Sequence, residues 1–137
     1  MQMESKQAAL LNGLALAYMG DGIYEVYVRE HLLAAGDTKP NELHRKAKRY
    51  VSAENQADVM DWLLAEERLS ADEEIYFKRG RNSKSKTKAK NASHRAYSYS
   101  TGFEAMIGWL YLTNQLDRLQ ELVRQCLMWI DEREMRE

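Results

Sequence analysis

The sequence has little from which to build covalent or membrane-anchored structure. A single cysteine, Cys126, excludes an internal disulfide and any cysteine metal cluster. It lies in the helical pattern LQELVRQCLMWI, where a buried thiol in a reducing compartment is expected. No apolar run approaches the length needed to cross a bilayer, the longest being short stretches such as MIGWLYL. The start, MQMESKQ, lacks the basic-then-apolar grammar of a secretory leader. A soluble, cytoplasmic protein with no membrane partner is expected. Alternation of strand type and internal repeats are also missing. The three histidines, His31, His44 and His94, have no serine, cysteine or carboxylate at a telling spacing, so a nucleophilic triad has little support. Acid is absent from one place: KRGRNSKSKTKAKNASHR, residues 78–95, holds eight Lys or Arg and no Asp or Glu.

That last absence gives the charge distribution its meaning. The formal net charge is only -1, but with eight of the 20 basic residues in this one segment, the other 12 face 21 acidic residues, a balance of -9. Concentrated positive charge on an acidic background calls for a polyanion, against the plainer reading of a solvated linker. The residues that would grip phosphates are Lys78, Arg79, Arg81, Lys84, Lys86, Lys88 and Lys90.

What is present suffices for one core. The chain has 137 residues, 45% of them hydrophobic, with three Trp, eight Tyr and seven Met, which predicts a single domain over 1–137. Periodicity is helical nearly throughout, so the expected fold is all-α. A long helical region over 5–35 should end at Gly36, Pro40 should sit near the start of a helix through LHRKAKRYV, and Ser52 should cap the next, through WLLAEER. Ser70 and Glu73 form a capping box for SADEEIYFKRG, which Gly80 should end. After the basic loop, GFEAMIGWLYL and LDRLQELVRQCLMWIDERE give two more helices.

Two carboxylates stand out. In LALAYMGDGIYEVYVREHLLAAG, an apolar face of Leu14, Tyr18, Ile23, Val26, Leu32 and Leu33 is expected, yet Asp21 lies between Gly20 and Gly22, each of which costs a helix interior about 1 kcal/mol. In YSTGFEAMIGWLYLTNQ, Glu104 is the only ionisable acid or base in an otherwise apolar helix, beside Gly102, Ala105 and Gly108. Small residues on both helices would let the backbones meet, Gly20 and Gly22 against Gly108, and carry Asp21 and Glu104 together. Two such carboxylates repel unless a hard cation such as Mg²⁺ or Mn²⁺ sits between them. Plainer roles stand beside this one. Thr101 and Glu104 have capping-box spacing, Asp21 could cap a helix restarted after Gly20, Glu25 reads as solvent-facing, and Tyr97 and Tyr99 read as core before base-stacking groups.

LALAYMGDGIYEVYV resembles the signature helix of the ribonuclease III catalytic domain, and TGFEAMIGWLYL its second acidic helix. With the RGRN loop between them, the whole chain resembles the Mini-ribonuclease III class of that family. The resemblance implies an all-helical homodimer that cuts double-stranded RNA with Mg²⁺, for which the hard oxygen ligands make Mn²⁺ a possible substitute, and that trims the ends of precursor 23S ribosomal RNA. It places Asp21 and Glu104 on the family's metal-binding aspartate and glutamate. The larger enzymes carry two further acids where this sequence has Ala17 and Thr101, and they append an RNA-binding domain for which this chain leaves no room after its last helix. The alternatives to a nuclease are a non-catalytic helical RNA-binding module and a purely structural helical dimer.

Overall fold

The computed structural model describes residues 3–83 and 93–136, and among these the secondary structure is entirely helical. The helices are α1 (Ser5–Ala9), α2 (Gly13–Ala34), α3 (Pro40–Val51), α4 (Ala53–Ala65), α5 (Ala71–Arg81), α6 (His94–Leu112) and α7 (Leu116–Arg136). None of them is long and apolar enough to cross a membrane.

The predicted start and stop signals act largely as expected. Pro40 occupies the first turn of α3, where its missing N–H is no loss, and Ser52 caps α4 by accepting from the Asn55 N–H at 3.3 Å. Ser70 and Glu73 form the reciprocal capping box of α5, at 3.1 and 2.8 Å. Gly36 ends α2 with φ of +101°, a backbone setting that a side chain resists. The region 5–35 is not one helix, however. It breaks after α1, and Asn12 restarts it by capping the Ala15 N–H at 2.9 Å.

Helix α6 is the axis of the molecule. Eleven of its residues are buried, from Ala96 to Leu110, and α2, α4 and α5 lie against it. A helix apolar on every side belongs inside, which is why its neighbours carry the polar surface. Two of these contacts are backbone-close. A Cβ built on Gly20 would lie 1.7 Å from the Glu104 carbonyl oxygen, and one on Gly108 would lie 2.0 Å from that of Leu16. On the other flank, a Cβ on Gly80 would meet Ala105 Cβ at 2.6 Å and Gly102 Cα at 2.8 Å. Gly80 therefore does not stop α5, which runs on to Arg81; it is the point where α5 meets α6.

This close approach also corrects the expected face of α2. The buried residues are Gly13, Leu16, Ala17, Gly20, Tyr24, Val28 and, as expected, Leu32, whereas Tyr18 is 85% exposed, Val26 60% and Leu33 55%. The smallest residues select the inward face, because only there can α6 come near enough to fill the space. Gly22 has no atom within 4 Å of a built Cβ and takes no part in the contact.

Polar ties fix the periphery. Glu73 on α5 is buried and receives Arg118 of α7 through two hydrogen bonds, at 2.8 and 2.9 Å. Burial alone would raise its carboxyl, but the bonds from Arg118 and Ser70 carry it below the usual carboxylate range. Asp131 of α7 accepts from the Tyr50 hydroxyl and bonds His31 Nε2 at 2.8 Å, tying α3 and α2 to α7.

Candidate active site

Asp21 and Glu104, 83 positions apart in sequence, line one cleft of about 310 Å³. Each comes from a stripe with the same spacing: Leu14, Ala17, Tyr18 and Asp21 on α2, and Tyr97, Ser100, Thr101 and Glu104 on α6. Positions i, i+3, i+4 and i+7 share one helix face, so two such stripes facing each other make a trough whose last members are the carboxylates. The Gly20 contact sets its depth, since the residue beside Asp21 touches the backbone of Glu104 itself. The third wall comes from the start of α4, with Ala53 and Gln56.

The two carboxyls are unequal. Asp21 is exposed, whereas Glu104 is mostly enclosed. Burial pushes the Glu104 carboxyl up to about 9, helped by a hydrogen bond to Asp21 and by its charge, and opposed by a hydrogen bond from the Gln56 amide. With no cation between them, one carboxyl at neutral pH keeps its proton and donates it to the other, the usual outcome for paired acids in a dry site. A divalent cation would remove that conflict. Two hard carboxylate oxygens and a neighbouring amide are a donor set that suits Mg²⁺ or Mn²⁺, so the residues fit the metal that the resemblance implies. They are few: among the described residues, no three His, Cys, Asp or Glu side chains stand together as a larger ligand set.

The plainer roles for this pair fall away. Asp21 lies in the middle of an unbroken α2, and Thr101 lies inside α6, where its hydroxyl donates to the Tyr97 carbonyl at 2.9 Å; neither acid caps a helix. Ala17 and Thr101, where the resemblance places further acids in larger enzymes, open into the same cleft. Tyr99 packs edge-on against Phe77 in the core, and Tyr97 lines the cleft.

A match to the ribonuclease III domain profile covers residues 14–115, which includes both acidic stripes and all of α6. The Mini-ribonuclease 3 of Enterococcus faecalis is 54% identical over 122 residues, covering 89% of this chain and 92% of its own length. The chain belongs to the ribonuclease III domain family, in its Mini-ribonuclease 3 branch. Other members of that branch include the Mini-ribonuclease 3 proteins of Streptococcus pneumoniae, at 49% identity over 89% of this chain and 95% of that one, and of Staphylococcus aureus, at 44% over 90% and 92%. The family fold is shared by a Fusobacterium nucleatum protein of known crystal structure. It superimposes with a TM-score of 0.76 at 26% identity, covering 87% of this chain and 93% of that one.

The basic residues divide. Lys84, Lys86, Lys88 and Lys90 lie outside the described residues. Lys78, Arg79 and Arg81 form the last turn of α5. Lys78 is exposed, and its side chain has no ion pair or hydrogen bond among the described residues. Arg79 is engaged at home: it donates to the carbonyls of Ala9 at 2.5 Å and Leu11 at 3.3 Å and lies over the Tyr76 ring, clamping the α1–α2 junction. Arg81 lies over Phe77 and donates to Asn82.

Gln56 went unnoticed in the sequence, though a signal was there. Gln56, Val59, Met60 and Leu63 have core spacing on α4, so an amide stands where an apolar residue is expected.

Proposed function

We propose that this protein is a divalent-metal-dependent endoribonuclease that cleaves double-stranded RNA, working as a cytoplasmic homodimer that matures the ends of precursor 23S ribosomal RNA. The observation that carries the reading is the meeting of Asp21 and Glu104 in one cleft across α2 and α6, in a chain of this family. Together they hold Mg²⁺, for which Mn²⁺ can substitute. The cation, when bound, lowers the pKa of a water and offsets charge on the phosphodiester and its leaving 3′ oxygen. The exposed Asp21 stands on the solvent side, where the RNA backbone arrives, and Glu104 anchors the site from inside. The family relationship and the donor chemistry support these roles.

Recognition is of shape and backbone. A-form RNA displays 2′-hydroxyls in a wide, shallow minor groove and hides its base edges, so cations are the useful contacts. Lys78, Arg81 and the lysines at 84, 86, 88 and 90 are assigned to the phosphates, with Arg79 bracing the turn that carries them. A two-fold dimer gives each strand its own site. Exposed Tyr18, Val26 and Leu33 on α2 supply apolar surface for such an assembly. Incubating the purified protein with a long RNA duplex, with and without Mg²⁺, tests the reading: metal-dependent double-strand products are expected, and binding without any cleavage would favour the non-catalytic module instead.

A further inference from the structure

The geometry points to Gln56 as a positioning residue that holds the Glu104 carboxylate in its cation-binding orientation. The inference rests on the metal-dependent reading of the site and adds a residue to it. Gln56 is 2% exposed, one of the few buried polar side chains of the described residues, and it lines the cleft with Asp21 and Glu104 from a third helix. A buried amide is costly unless it finds a polar partner, and the Gln56 amide shares its cleft with the Glu104 carboxyl, the acceptor on which it acts. Its backbone is held as well. The Gln56 N–H closes the first turn of α4 on the Ser52 carbonyl at 2.9 Å, and the neighbouring Asn55 side chain accepts from Arg133 of α7 at 2.8 Å. Val59, Met60 and Leu63 then seat the rest of that face in the core.

The chemistry follows from this placement. A glutamate side chain has three rotatable bonds, and in a site with only two acids a swinging Glu104 would remove half the charge available to a cation. A carboxylate offers several lone pairs, so one N–H from Gln56 can fix its orientation and leave other oxygen positions free for a metal. Polar groups behind metal ligands set ligand orientation in this way, and losing one typically weakens metal affinity or activity 10–100-fold. The Gln56 amide does not touch the scissile phosphate in this scheme; it acts through Glu104.

The test uses Gln56→Met, which keeps the length and removes the N–H donor. Mn²⁺ binding to the protein alone is read by electron paramagnetic resonance of the free ion, beside single-turnover cleavage of duplex RNA across a Mg²⁺ series and duplex binding in EDTA. Gln56→Met should weaken Mn²⁺ binding about tenfold or more. Its cleavage defect should shrink as Mg²⁺ rises, and its RNA affinity in EDTA should be unchanged. Gln56→Asn, which withdraws the amide by one methylene, should weaken binding as Met does and repeats the measurement should the Met variant not fold. Parental Mn²⁺ affinity in the Met and Asn variants overturns the role of Gln56. Failure of the parent itself to bind Mn²⁺ or to cleave overturns the proposed function instead.

Discussion

Replacing Gly20 by alanine should destabilise the fold, while the same change two residues on, at Gly22, should stabilise it. Both positions are interior to α2, where alanine is worth about 0.5–1 kcal/mol over glycine. At Gly22 nothing lies within 4 Å of the new methyl, so that gain should be realised. At Gly20 the methyl would stand 1.7 Å from the Glu104 carbonyl oxygen, 2.6 Å from its carbon and 2.9 Å from the Gly108 nitrogen. All three are backbone atoms of the central helix, so no rotamer change can clear them; α2 and α6 must separate. Overpacking of this kind costs about 1–3 kcal/mol, which offsets the propensity gain and, since that gain is common to both positions, sets the two variants about 1–3 kcal/mol apart. For a chain of this size 1 kcal/mol moves Tm by roughly 3–5 °C, so Gly22→Ala should melt a few degrees above the parent and Gly20→Ala several degrees below. Thermal and urea unfolding followed by circular dichroism at 222 nm measures both. Separation of the helices also draws Asp21 from Glu104, so Gly20→Ala should lose duplex cleavage beyond its loss of stability. If Gly20→Ala proved as stable and as active as Gly22→Ala, the account of how the site is assembled would be wrong.

Asp21→Asn or Glu104→Gln should leave duplex binding nearly intact while single-turnover cleavage falls about a thousandfold, the effect of losing about 4 kcal/mol of transition-state stabilisation; an active Glu104→Gln would remove that residue from the chemistry. Lys78→Ala should weaken duplex binding and flatten its salt dependence with Tm unchanged, whereas Arg79→Ala, by freeing the Ala9 and Leu11 carbonyls, should lower stability by about 1–3 kcal/mol in urea titrations. Arg118→Ala should cost about 3 kcal/mol, because it strands the buried Glu73 carboxylate. The Glu73 carboxyl lies lower in the folded than in the unfolded chain, so its contribution is present above the ordinary value of 4.5 and is lost as pH falls through the folded value. Glu73→Gln should correspondingly flatten the stability profile below about pH 4.5, as read from denaturant midpoints across the acid range.

Local signals carried most of the secondary structure. Asn12 aside, the caps at Ser52 and Ser70, the proline at the start of α3 and the glycine after α2 act over three or four residues, so neighbouring letters determine them. The two acidic helices were legible too, because a lone carboxylate among small apolar residues is unfavourable without a partner. Which face of α2 turns inward was decided only by the tertiary structure. Hydropathy favours Tyr18 and Val26, but the approach of α6 requires residues without bulk, and Ala17 and Gly20 met that need. Gly80 reads as a stop signal in isolation and becomes a contact point once α6 lies across it. Arg79 reads as one more cation of the loop until the carbonyls of Ala9 and Leu11, about 70 residues away, are placed beside it. Gln56 is the clearest case: spacing marks it as misplaced in a core stripe, yet its partner lies 48 positions away on another helix, and only packing puts the two side by side. Helix signals are contained in a few consecutive residues, whereas a site built across α2, α4 and α6 depends on distances that no local pattern encodes.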